Sequence, residues 1–211
     1  IHLIGGDTVK TPGPASFSVT MMGWAPAGTA VHRGGANVGD DVYVTGVIGD
    51  GWLGLQACQG ALSLAEERLE ALRAAYRLPT PRVDFADVVA KWATASCDVS
   101  DGLLADTERL AKASGAAIEL DLAVTPMSAA AQAWYETRVD EQAALEQLAT
   151  GGDDYQILFT ARAGQEEALR REAERRFIRL TKVGKVVAGD GLSVQFRGQS
   201  ILPARTGWTH D

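Results

Sequence analysis

The sequence predicts an α+β fold, a mixed β-sheet flanked by helices, and three observations carry that prediction. The 211 residues are 46% hydrophobic and 22% charged, with 23 Gly and 7 Pro, a balance typical of globular chains. Stretches with the period-2 spacing of strands and stretches with helical spacing both occur. They do not alternate strictly, which argues against a doubly wound parallel sheet.

In chain order, Phe17, Val19 and Met21 alternate with Ser18, Thr20 and Met22, the pattern of a half-buried strand ended by Pro26 and Gly28. Val42 to Ile48 is apolar nearly throughout and follows Gly39-Asp40-Asp41, so it is predicted as a central strand covered on both faces. Gly49 to Gly54 opens a helix. Ala61, Ala65, Leu69, Leu72 and Tyr76, then Phe85, Val88, Val89 and Trp92, have helical spacing, and Pro79 and Pro81 break the chain between them. A short strand from Ala95 to Val99 leads through Asp98-Val99-Ser100-Asp101-Gly102 into a helix with Leu103, Thr107, Leu110 and Ala111 on one face, closed by Gly115. Ile118 to Leu122 reads as a strand, residues 129–149 as one or two Ala-rich helices, and Gln156 to Thr160 as a strand behind Gly151-Gly152-Asp153-Asp154. A charged helix at 165–177 is predicted to bury Leu169, Ala173 and Phe177. Strands near 183–187 and 192–196 flank Gly189-Asp190-Gly191, a turn of the hairpin kind.

Composition also excludes functions. A net charge of −7 with no basic run leaves no nucleic-acid footprint. No apolar stretch approaches the roughly 20 residues of a membrane span, and no charged n-region precedes an apolar h-region at the N-terminus, so a cytoplasmic location is expected. Cys58 and Cys97, the only cysteines, are too few for a disulfide framework or a zinc site and read as small buried hydrophobes. Only His2, His32 and His210 occur, without H-E-x-x-H, G-x-S-x-G or a P-loop, which argues against zinc enzymes and hydrolase triads.

Gly49-Asp50-Gly51-Trp52-Leu53-Gly54 is a literal G-x-G-x-x-G behind a strand. A dinucleotide site also needs a second strand ending in an acidic residue about 20 positions on, where helical spacing is found instead. Glycines that let a helix pack tightly are the preferred reading. A dinucleotide-dependent oxidoreductase and a non-catalytic fold domain stay open as alternatives. Asp98-x-Ser100-Asp101 places two carboxylates and a hydroxyl at a strand-to-helix turn, fit to ligate Mg²⁺ and meet a phosphate, or simply to cap the helix. Asp7 follows Gly5-Gly6, and Asp153-Asp154 follow Gly151-Gly152. Acidic turns converging on one cleft would need a cation to offset their repulsion. Arg33 reads as a phosphate ligand or a solvated loop residue, and Trp208 as a core anchor or a platform for a flat ligand.

Taken in order, Gly5-Gly6-Asp7-Thr8, Arg33 ahead of Gly34-Gly35-Ala36-Asn37-Val38-Gly39-Asp40-Asp41, Asp98-Val99-Ser100-Asp101-Gly102-Leu103, Gly152-Asp153-Asp154-Tyr155 and Gly207-Trp208-Thr209-His210 resemble the thiamine-monophosphate kinase family of the aminoimidazole ribonucleotide synthetase superfamily. The resemblance covers nearly the whole chain. It implies ATP- and Mg²⁺-dependent transfer of the γ-phosphoryl to thiamine monophosphate, giving thiamine diphosphate and ADP. It further implies that Asp7, Asp98 and Asp101 ligate Mg²⁺, with Asp98 and Asp101 in the catalytic centre, that Arg33 and Ser100 contact ATP, and that Asp153 and Trp208 bind the thiamine substrate. The family usually has Glu where Asp153 stands, and it has a further upstream ATP-binding and dimerisation domain. Residues 1–25 are therefore expected to be the tail of that domain and 26–211 the C-terminal α+β domain, with a homodimer in the full-length protein. The chain reads as beginning inside a structure, and alone it is expected to be inactive.

Overall fold

The computed structural model describes residues 2–207. The chain divides into two units, Ile1–Ala30 and Val31–Asp211. The first has no helix or strand among its described residues; its turn at 26–29 closes with the Thr29 amide and hydroxyl both donating to the Pro26 carbonyl, at 3.1 and 2.8 Å. The strand predicted at 17–22 is not formed. Alternation marks a face, but a strand also needs a neighbour for its backbone groups, and Phe17, Val19 and Met21 are exposed.

The second unit is built on a seven-stranded sheet in the order β2-β4-β1-β5-β3-β6-β7. In sequence the strands are β1 Asp41–Thr45, β2 Ala93–Val99, β3 Ala117–Asp121, β4 Gln156–Ala161, β5 Leu180–Val187, β6 Gly191–Phe196 and β7 Gln199–Ile201. All pairings are antiparallel except β3 with β6. β1 is central and entirely buried, as expected, but it stops at Thr45 because Gly46 turns the chain at φ 64°. Its side chains alternate between two cores. Val42 and Val44 join Leu158 in the larger one, and Tyr43 joins Phe159 and Phe85 in the smaller.

Helices α1 Asp50–Cys58, α2 Glu66–Arg77, α4 Leu103–Ser114, α5 Ala129–Tyr135 and α6 Glu141–Ala149 supply the larger core, while α3 Ala86–Trp92 and α7 Glu166–Arg175 cover the other face. Among the described residues no helix is long and apolar enough to cross a membrane.

Three local expectations are corrected. β5 and β6 do not form a hairpin, because β3 lies between them, antiparallel to one and parallel to the other, and buries Ile118 and Leu120. Phe177 is exposed rather than buried. α7 ends in a Schellman motif, with the amides of Phe177 and Ile178 donating to Glu174 and Ala173 and with Phe177 left-handed at φ 54°. The chain reverses there, and Ile178 takes the buried place. Cys58 is exposed, at the last position of α1.

Candidate functional site

Two loops at one end of the sheet make the site. The first joins β2 to α4. Asp106, buried in the first turn of α4, reaches back so that its Oδ2 accepts from the amides of Ser100 and Asp101, both at 3.0 Å. The N-cap is Gly102, with no side-chain cap. Neither Ser100 nor Asp101 occupies the N-cap position itself, which lies one residue past Asp101. Arg109 donates to Asp106 Oδ1 at 2.8 Å and also to Asp101 Oδ2, bracing that carboxylate from one side.

The second loop joins α6 to β4 and is laced to the first. The amides of Asp153 and Tyr155 donate to the carbonyls of Ser100 and Val99, each at 2.8 Å. At Gly152, φ 75°, a Cβ would come within 2.7 Å of the Ser100 carbonyl oxygen. No residue but glycine allows the two backbones to lie this close. Asp153 and Tyr155 are themselves left-handed, at φ 61° and 50°. Such conformations persist in non-glycine residues only where the surroundings over-determine them.

Between them Asp154 points inward. Its carboxylate accepts from the amide of Gly49 at 3.0 and 2.9 Å and from that of Gly51 at 3.0 Å. Burial pushes its pKa up to about 7; the two amides oppose that rise, and the charges of Asp50 and Asp153 add to it. This contact decides the Gly49–Gly54 motif. The amides that would cradle a pyrophosphate are already taken by a carboxylate. Gly51 and Gly54 serve close packing instead, since a Cβ would lie 2.4 Å from the Asp153 carbonyl oxygen and 2.2 Å from that of Leu72.

The loops and α1 enclose a cleft of about 580 Å³ whose lining includes Ser100, Asp101, Asp153, Tyr155, Trp52 and Arg205. The Tyr155 hydroxyl donates to Asp153 Oδ1 at 3.1 Å, and burial followed by the Asp153 charge raises its pKa. Trp52 is braced edge-on by Trp134, with ring centroids 5.6 Å apart. The cleft thus joins carboxylates and aromatic rings, with the Arg205 guanidinium also in its lining. That combination suits a ligand carrying both a flat ring and phosphate.

Of the residues singled out in the sequence, Ser100, Asp101 and Asp153 meet in this cleft. Asp98 lies on β2, exposed and in register with Ile157, and is not part of the lining. Arg33 is exposed and also outside the lining. Its charge is felt by the Cys97 thiol, whose pKa burial, and secondarily Asp106, pushes up to about 12 against the opposing pull of Arg33. Asp7 belongs to the first unit, where its Oδ1 accepts from the Thr8 amide at 2.8 Å. Trp208 lies outside the described residues. Gly207, just before it, packs against the first loop, where a Cβ would be 2.5 Å from the Asp101 carbonyl oxygen. The sequence reading missed the bracing role of Asp106, whose one signal is an acid in the first turn of a helix, and the lining roles of Trp52, Tyr155 and Arg205.

Residues 37–197 match the family described as AIR synthase related protein, C-terminal domain. Among similar proteins, the thiamine-monophosphate kinase of Caulobacter vibrioides is 42% identical over 210 residues, covering 100% of this chain and 59% of its own length. The crystal structure of thiamine-monophosphate kinase from Stenotrophomonas maltophilia superposes with a TM-score of 0.72 at 36% identity, over 82% of this chain and 55% of that one. AaThiL complexed with AMPPCP and TMP gives 0.69 at 34% identity, over 86% and 54%. The chain spans 59–64% of the length of the relatives that match it from end to end. Since the family match runs from before β1 to the end of β6, the chain belongs to the AIR synthase related proteins and carries their C-terminal domain.

Proposed function

We propose that the protein containing this chain is a thiamine-monophosphate kinase, transferring the γ-phosphoryl of ATP to the phosphate of thiamine monophosphate. The observation that carries the reading is the meeting of Ser100 and Asp101 with Asp153 in one cleft beside Trp52 and Tyr155. It is supported by relatives of that name and by AaThiL, a related protein complexed with AMPPCP and TMP.

The acceptor is already an anion, so the reaction asks for no strong base; it asks for two polyanions to be aligned and their repulsion offset. Mg²⁺ would meet Asp101, which lines the cleft; Asp98 stands exposed on β2 outside that lining, and the described residues gather no set of three metal-ligating side chains. One carboxylate in the cleft suits this ion, because Mg²⁺ takes one or two carboxylates and completes its shell with waters and phosphate oxygens. When bound it supplies the charge neutralisation. Ser100 and Arg33 contact ATP, the hydroxyl and the guanidinium each donating to phosphate oxygens. Asp153 and Trp208 hold the thiamine moiety, the carboxylate facing its cationic ring and the indole stacking on it. Arg109 keeps the Asp101 carboxylate from swinging away. The full protein acts in the cytoplasm as a homodimer in this reading.

The test is production of thiamine diphosphate from ATP, Mg²⁺ and thiamine monophosphate by the protein containing this chain, with Asp101→Asn alongside. The variant is expected to keep its circular dichroism spectrum and to lose at least about a hundredfold in turnover. An active Asp101→Asn enzyme would remove that residue from the centre. A wild-type protein that makes no diphosphate, or that responds to NAD instead, would overturn the reading.

A further inference from the structure

The carboxylate of Asp154 does not line the cleft, yet every strained part of the cleft's acidic wall passes through it. Asp153 and Tyr155, the two left-handed residues, are its immediate neighbours. Their amides tie one edge of the loop to Ser100 and Val99. The opposite edge is tied by Asp154, through its side chain to the amides of Gly49 and Gly51 and through its carbonyl to Gln156 Nε2 at 3.3 Å. The N-terminus of α1 is shaped to receive this loop, since Gly51 leaves no room for a Cβ beside the Asp153 carbonyl. Both Asp154 oxygens are occupied by backbone, which leaves it no direct part in chemistry.

We propose that Asp154 is a positioning residue for the phosphoryl acceptor: by fastening the loop to the start of α1 it fixes the backbone from which Asp153 enters the cleft. The inference rests on the kinase reading, in which Asp153 meets the thiamine substrate. Loss of the Asp154 carboxylate frees one edge of the loop, and Asp153 and Tyr155 can then relax from their left-handed backbone. Asp101 stays in place, because Asp106 and Arg109 hold it independently. Acceptor binding should therefore suffer and ATP binding should not.

The test is steady-state kinetics of Asp154→Ala, Asp154→Asn, Asp153→Ala and the Asp153→Ala/Asp154→Ala double variant in the protein containing this chain. Asp154→Ala is expected to raise KM for thiamine monophosphate about tenfold or more while changing KM for ATP less than about twofold. Asp154→Asn keeps an oxygen that can accept both amides, as Oδ1 now does, and should stay within about threefold of wild type. If Asp154 acts through Asp153, Asp154→Ala should add less than about twofold in the Asp153→Ala background. Should Asp154→Ala fail to fold, Asp154→Ser, too short to reach the amides, carries the same expectations. Equal rises in both KM values, full multiplication of effects in the double variant, or an Asn variant as poor as the Ala one would each overturn the positioning role. Wild-type protein without transferase activity would instead overturn the kinase reading, and this inference with it.

Discussion

Asp106 and Asp154 are two buried acids that each accept a pair of backbone amides, but only Asp106 has a guanidinium beside it. Asp154 holds its proton to about pH 7 when folded, against an ordinary value of 3.8. A raised carboxyl pKa means that the neutral form is the one folding favours. Its stabilising contribution is fully present below the ordinary value and is lost as pH climbs to about 7. Asp154→Asn has no such proton to lose. Its stability relative to wild type should therefore improve by something on the order of a few kcal/mol between about pH 4.5 and 7.5; parallel urea-denaturation profiles across that range would contradict the assignment. The thiols offer a second check. Cys58 is exposed, whereas burial keeps the Cys97 pKa near 12, so a disulfide exchange reagent should label one thiol quickly and leave the other until unfolding. Ser100, Asp101 and Asp153 were legible in the sequence because they stand in glycine-flanked acidic turns. Asp106 was not, since its partners are amides several residues upstream and an amide leaves no mark in a sequence.

At the level of elements, α1 and α2 meet through Gly54, whose missing side chain leaves room for the Leu72 carbonyl and the Tyr76 Cβ. Gly54→Ala improves helix propensity, yet its methyl would lie 2.2 Å from that carbonyl oxygen. Overpacking should win, at a net cost of about 1–3 kcal/mol measurable by chemical denaturation. An unchanged or raised stability would mean that the two helices separate freely. Spacing alone carried α7 to Phe177, because periodicity marks a face and is blind to the left-handed residue that ends it. The expected hairpin failed for a related reason. Gly189-Asp190-Gly191 is a sound local turn signal, but β3, remote in sequence, presents both its edges to the strands on either side.

Across the whole unit, the mixed sheet with helices on both faces was legible, and so was the central place of β1, because a short run apolar on both faces has few other homes. The strand order was not, since it depends on pairings between residues such as Val42 and Thr160 that are far apart in the chain. That order sets a hierarchy of stability. Amide exchange should be slowest in β1 and β4, which lie between the two cores, and faster by orders of magnitude in the edge strand β7. Equal protection at the centre and the edge would mean that the sheet opens as one. The pairing of Trp52 with Trp134 at the cleft gives the protein an optical property as well. Indole emission depends on the polarity around the ring, and Trp52 is the described tryptophan that lines the cleft. With Trp24 and Trp92 replaced by Phe, filling the cleft becomes visible as a colour shift of the protein's own fluorescence, and occupancy can be followed without a label on either molecule.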